Sequence, residues 1–105
     1  MKKCVYISGK VTGLNRHEAM SWFQQAEDFL VSHGYAACNP MRLIPEDASW
    51  CSAMDIALDL MYNCHAVILL NNWRDSRGAI MEKQWAEQEL KIPVFEDLEC
   101  LIKNL

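Results

Sequence analysis

The sequence predicts an α/β fold in which four parallel strands form one sheet between two layers of helices. Strand-like and helix-like segments alternate along the chain, and two of the helical segments carry a clear apolar stripe. The segment 65–70 is apolar throughout after His65, which is typical of a strand that is buried on both faces. Because neighbouring parallel strands need crossover connections, this alternation favours a parallel sheet with helices on both faces.

The predicted elements fill the chain without a linker, so we expect a single domain over residues 1–105. In order they are strand 3–8, helix 16–33, strand 35–38, helix 50–63, strand 65–70, helix 77–90, strand 93–95 and a weak helix 98–105. For four such strands we predict the order 2-1-3-4, a small flavodoxin-like three-layer sandwich.

The first half of the chain has clear boundary signals. Asn15 is a predicted N-cap, with Glu18 three residues later as in a capping box. Gly34 is suited to the position after the helix end. The stripe of this helix is formed by residues at spacings of four, three and four, namely Ala19, Phe23, Ala26 and Leu30. After the second strand, Asn39-Pro40 predicts a turn, and 41–49 is a loop with room for a helical turn.

The second half repeats the alternation. The helix 50–63 places Met54, Leu58 and Met61 on one side. A polar loop, 71–76, follows the buried third strand. The helix 77–90 has a predicted buried arc formed by its apolar residues, namely Gly78, Ala79, Met81, Trp85, Ala86 and Leu90.

Composition excludes several classes of protein. Ten basic residues against 14 acidic ones give a net charge of −4, which argues against duplex nucleic acid as a partner. No apolar run approaches the ~20 residues that span a bilayer. The apolar stretch behind Lys2 and Lys3 is too short for a signal peptide. The five cysteines include no C-x-x-C pair, so we predict reduced thiols, a cytoplasmic location and no metal site. We also expect no cofactor.

A ligand pocket is predicted at the carboxyl ends of the first and third strands, where sheets of this kind bind ligands. The residues that follow those strands are Ser8, Gly9, Asn71, Asn72, Trp73 and Asp75. Glu82 lies about one turn into the next helix and falls within its predicted buried arc. A carboxylate is rarely buried without a partner, so Glu82 is a candidate functional residue. Pairing with Arg74 or Arg77, or access to water, would also explain it.

An ordered set of motifs runs along the chain. It consists of Tyr6-Ile7-Ser8-Gly9, Thr12-Gly13, Gly34, Asn39-Pro40, Trp50 with Met54, Cys64-His65-Ala66-Val67, the pattern W-x-x-S-x-G-A-x-x-E from Trp73 to Glu82, and Pro93-Val94. The set resembles DUF4406, a family of unassigned function associated with phages and bacteria, in the nucleoside 2-deoxyribosyltransferase superfamily. Lys10 replaces a proline common in the family, and His65 replaces an aspartate.

The resemblance implies an N-glycosidase or 2-deoxyribosyltransferase that acts on a nucleoside or nucleotide. Glu82 would be the nucleophile that forms a covalent glycosyl-enzyme, and Tyr6 would orient it. The candidate substrate-binding residues are Ser8, Gly9, Asn39, Trp73, Asp75, Ser76 and Gly78, together with Lys10, whose positive charge at the rim of the predicted pocket would suit a phosphate. The residue that serves the leaving base stays open between Asp55, Asp59 and neither. Since the chain has few residues to wall a pocket, we expect a homo-oligomer.

Two other hypotheses stay open at the sequence level. One is a non-catalytic module that binds a nucleotide or a nucleotide derivative. The other is an interaction protein whose strand-end loops leave no pocket. The sequence leaves open the base, the sugar and any need for a 5′-phosphate.

Overall fold

The computed structural model describes residues 2–105 and contains one sheet of four parallel strands in the order β2-β1-β3-β4. The strands are β1 (Cys4–Ser8), β2 (Ala36–Cys38), β3 (Ala66–Leu69) and β4 (Val94–Phe95). Tyr6 lies at the centre of the sheet, paired with Cys38 on one side and with Val67 on the other. The predicted fold class and strand order are both confirmed.

Five α-helices cover the sheet. They are α1 (Arg16–Ser32), α2 (Pro40–Leu43), α3 (Trp50–Met61), α4 (Arg77–Trp85) and α5 (Leu98–Asn104). Asn15 caps α1 by accepting a hydrogen bond from the backbone N–H of His17, and Gly34 has a positive φ of 88° after the helix end. Within these described elements, no helix has the length and apolar character needed to cross a bilayer.

The sheet is sandwiched between two hydrophobic clusters, one on each face. Alternate residues of β1 point to opposite faces, so Val5 and Ile7 pack with α1 and α5, whereas Tyr6 packs with α3 and the helix that follows β3. The three predicted layers are therefore present. β1 and β3 lie in the middle of the sheet, and their carboxyl ends are adjacent.

The helix after β3 differs from its prediction in two ways. The α-helix ends at Trp85 and continues as a π-helical turn, Ala86–Leu90. Met81 was predicted to be buried, which is wrong, because its side chain is 40% exposed. The buried stripe is narrower than the predicted arc and runs through Ala79, Glu82 and Ala86, at helical spacing.

Candidate functional site

Glu82 lies in α4 and is buried against the sheet, with 7% of its surface exposed. The hydroxyl of Tyr6 donates a hydrogen bond of 2.7 Å to Oε2, and the hydroxyl of Ser8 donates one of 2.6 Å to Oε1. Tyr6 and Ser8 are alternate residues of β1 and therefore point to the same face of the sheet. The two hydrogen bonds therefore hold both carboxylate oxygens in place. Among residues 2–105 no basic side chain forms an ion pair with Glu82.

The environment of Glu82 changes its proton affinity. Burial raises the pKa of Glu82 to about 7, although the hydrogen bonds from Ser8 and Tyr6 act in the opposite direction. Burial and the neighbouring Glu82 carboxyl raise the pKa of Tyr6 well above its usual value, so this hydroxyl keeps its proton and stays a donor. The carboxyl group is consequently poised between its acid and anionic forms near neutral pH.

Two cavities meet at Glu82. The first has a volume of about 140 Å³ and lies between β1, the start of α1, α2 and α3. Most of its lining is apolar, with Phe23, Met41 and Met54 among the side chains, and two charged side chains, Arg16 and Glu46, also line it. The cavity is therefore mainly apolar, with a few charged groups at its boundary.

The second cavity is larger and more polar, with a volume of about 580 Å³. It lies between the loop after β1 and the start of α4, and both Lys10 and Arg77 line it. The guanidinium of Arg77 lies over the ring of Trp50, 4.0 Å from its centroid. The Ser76 hydroxyl accepts a hydrogen bond of 3.1 Å from the backbone N–H of Ala79, and so caps α4.

Packing explains the two glycines at the second cavity. A Cβ on Gly9 would lie 2.6 Å from Cδ1 of Leu70, so only glycine lets the end of β1 lie against the end of β3. A Cβ on Gly78 would meet Sδ of Met54 at 3.3 Å, which is a tight contact between α4 and α3. The loop is held further by the backbone N–H of Lys10, which donates to Oδ1 of Asn72 at 3.0 Å.

Most of the sequence-predicted site residues lie together. Those that line one of the two cavities, or that contact Glu82, are Tyr6, Ser8, Gly9, Lys10, Asp75, Ser76, Gly78 and Glu82.

Asn39 and Trp73 line neither cavity. Oδ1 of Asn39 accepts a hydrogen bond from the backbone N–H of Met41, and Nδ2 of Asn39 donates to Glu27. The indole N–H of Trp73 donates to Glu96 at 3.3 Å. Both side chains therefore have structural hydrogen-bond partners, and neither lines either of the two cavities at Glu82.

Several residues that line the two cavities could not be predicted from the sequence. Arg16, Glu46 and Arg77 are single charged residues at a helix start or in a loop, and only the folded chain shows that they face a cavity. The two aspartates considered for the leaving base, Asp55 and Asp59, are exposed and line neither cavity. Across the described residues, no group of three or more His, Cys, Asp or Glu side chains is arranged to hold a metal ion.

Comparison with protein families gives one match, described as "Domain of unknown function (DUF4406)", over residues 3–95. This chain belongs to the DUF4406 family. The region shared with DUF4406 contains all four strands and both cavities, and only α5 lies beyond it. Searches of curated proteins and of solved structures found no match.

Proposed function

We propose that this DUF4406 protein is an N-glycosidase or 2-deoxyribosyltransferase that acts on a nucleoside or nucleotide, with Glu82 as its nucleophile. One observation carries the proposal: a buried carboxylate lies where two cavities meet, held by two hydroxyl donors. The motifs that resemble the nucleoside 2-deoxyribosyltransferase superfamily support it as well.

In the proposed reaction, one oxygen of ionised Glu82 attacks the anomeric carbon of the sugar. The bond between that carbon and the base breaks, its electron pair leaves with the base, and the base takes up a proton from solvent. Water, or a second base, then attacks the same carbon, gives up a proton to solvent, forms the sugar product and returns the carboxylate. Each carboxylate oxygen has two lone pairs, so the Tyr6 and Ser8 bonds leave one on each oxygen for the attack.

Two hydroxyl donors suit the changes in charge during this reaction. They hold the nucleophile in one orientation before the attack, which lowers the entropic cost of reaching the transition state. They also stabilise the carboxylate when it leaves in the second step. A neutral hydroxyl orients the anion without the strong pairing that an arginine or lysine would impose.

The test is an assay of free base after incubation with ribonucleosides, deoxynucleosides and their 5′-monophosphates. We expect the wild-type protein to release base from at least one substrate and Glu82→Gln to release none above the uncatalysed rate. Mass spectrometry of the quenched reaction should show wild-type protein that carries one glycosyl group. Equal release by wild type and variant across the panel would refute the proposal.

A second candidate is a non-catalytic module that binds a nucleotide or its derivative. It is favoured by the fact that both oxygens of Glu82 already accept hydrogen bonds and that little of this side chain is exposed. A thermal-shift panel detects binding, since a bound ligand stabilises the fold by about 2.7 kcal/mol at a hundredfold excess over Kd. The assay of free base then separates the two functions. Stabilisation without any release of base would support the module.

A further inference from the structure

The smaller cavity beside Glu82 has the dimensions of a single aromatic ring. Its volume is about 140 Å³, and an apolar protein cavity of roughly 150 Å³ is enough to bind benzene. Phe23 and Met41, both buried, contribute apolar walls. Since the same cavity is lined by Glu82, a ring seated there lies next to the carboxyl group.

Two side chains of opposite charge give this cavity a polar edge. Arg16 is the first residue of α1, and Glu46 lies in the loop between α2 and α3. Arg16 donates only one long hydrogen bond, 3.5 Å to the backbone oxygen of Met41, so most of its five N–H donors are available. In the described part of the chain, neither Arg16 nor Glu46 forms an ion pair.

We propose that this cavity holds the base of the substrate, that the base is a pyrimidine, and that Arg16 and Glu46 recognise its polar edge. The inference rests on the proposed function, in which Glu82 attacks the sugar of the substrate, but it concerns only how the protein recognises the base. Glu46 accepts a hydrogen bond from the amino or imino N–H of the ring, as acidic side chains accept from the amino group of cytosine. Arg16 donates to a ring carbonyl oxygen.

The size of the cavity favours a pyrimidine over a purine. A purine has a second fused ring, which would have to displace the buried side chains of Phe23 or Met41 or extend out of this cavity toward the larger and more polar one. Displacing well-packed side chains is unfavourable, so a purine should bind here more weakly than a pyrimidine. The polar edge adds selectivity, because a site that provides a donor and an acceptor discriminates against rings that lack the matching groups.

If the base lies in the smaller cavity, the acidic residue that faces it must also line that cavity. Asp55 and Asp59 are exposed on α3, which instead turns Met54 and Ala57 toward this cavity. Glu46 is therefore the acidic residue, apart from Glu82 itself, that lines the cavity. We assign it a role in specificity, in which it contacts the base and orients the base relative to Glu82.

Calorimetric titration of the free bases cytosine, uracil, adenine and guanine tests the inference without any need for turnover. We expect the pyrimidines to bind at least about tenfold more tightly than the purines, a difference of about 1.4 kcal/mol. Glu46→Ala and Arg16→Ala should each weaken pyrimidine binding by about tenfold or more. Asp47→Asn, which alters the adjacent exposed residue outside both cavities, is the matched control and should bind as the wild type does.

The possible results separate this inference from the proposed function. Equal binding of purines and pyrimidines, no binding of any base, or unchanged binding by both variants would overturn the inference. Selective pyrimidine binding without release of base from any nucleoside would support the inference and refute the proposed catalysis. Release of base from purine and pyrimidine nucleosides alike, unaffected by Glu46→Ala, would support the catalysis and overturn the inference.

Discussion

The Ser8 hydroxyl lies 2.6 Å from Oε1 of Glu82 and donates a hydrogen bond to it. This contact joins the last residue of the central strand β1 to α4. Both side chains are buried, so the hydrogen bond operates in a medium of low polarity, where it is stronger than in water. The ionisation of Glu82 is therefore coupled to the packing of α4 on the sheet.

Stability should decrease as Glu82 ionises. Its pKa is about 7 in the folded protein against an ordinary value of 4.5, so the folded state holds a proton that the unfolded state has lost. The contribution of Glu82 to stability is thus greatest below about pH 4.5 and falls by up to roughly 3 kcal/mol as the pH rises to about 7. Urea unfolding across this range should show the decline in wild type and in Glu89→Gln, an exposed control, but not in Glu82→Gln. A decline of equal size in all three proteins would contradict the assignment.

The pH dependence of the proposed activity should move when either hydroxyl donor is removed. Only ionised Glu82 is a nucleophile, so the rate should rise with pH through about 7, the pKa of Glu82. Ser8→Ala and Tyr6→Phe each remove a hydrogen bond to the anion, which should raise the pKa of Glu82 and shift the rising limb by about one pH unit to higher pH. The shift should be greater for Ser8→Ala, because its hydrogen bond lowers this pKa more. Tyr62→Phe, at an exposed tyrosine, is the control. Profiles that coincide with wild type would be evidence against the roles of both donors.

Gly9→Ala should destabilise the fold through Leu70. The added methyl group would lie 2.6 Å from Cδ1 of Leu70, and overpacking of this kind costs about 1–3 kcal/mol. In a Leu70→Ala background the contacts with Cδ1 and Cγ are absent and only the contact with Cβ, at 2.9 Å, remains, so Gly9→Ala should cost less there. A double-mutant cycle by chemical denaturation measures this coupling. Strictly additive free energies of unfolding would show that the contact is not the cause.

The five cysteines should react with iodoacetamide in two groups. Cys51 and Cys100 are exposed, whereas Cys38 and Cys64 are buried and Cys4 is partly buried. Burial raises the pKa of the Cys4 thiol and so reduces its reactive thiolate. Mass spectrometry should find two rapidly labelled sites in the native protein and five after denaturation. Rapid labelling of Cys64 in the native protein would contradict its buried position beside β3.

Asn39→Ala should affect stability more than substrate affinity. The substitution removes the cap of α2 and the hydrogen bond to Glu27, for an expected loss of about 1 kcal/mol. The side chain lines neither cavity beside Glu82, so KM should be unchanged. Asn71→Ala, at an exposed asparagine, provides the control for stability. A raised KM with unchanged stability would instead assign Asn39 to the substrate site.

The sequence was sufficient for the sheet and for the position of Glu82. Alternation of elements limits the strand order to few arrangements, and the helical period places Glu82 on the inner side of α4. The same period overestimated the width of the buried stripe, because it gives the direction of each side chain but not whether another element covers it, and Met81 is exposed.

The charged lining of the smaller cavity could not be predicted in the same way. Arg16 and Glu46 are 30 positions apart, and neither belongs to a periodic pattern. Their proximity to one cavity depends on how the short helix α2 and the loop after it fold back over α1 and α3. Such loop paths are set by tertiary packing and leave no local signal in composition.

The short outer strands bear on how copies of this chain would associate. The sheet ends at β2, with three residues, and at β4, with two. Edges this short offer few free backbone N–H and C=O groups to a strand from another molecule, which is a recognised protection against aggregation. If the predicted homo-oligomer forms, its subunits should therefore meet through helix surfaces, and continuous sheets across subunits are not expected.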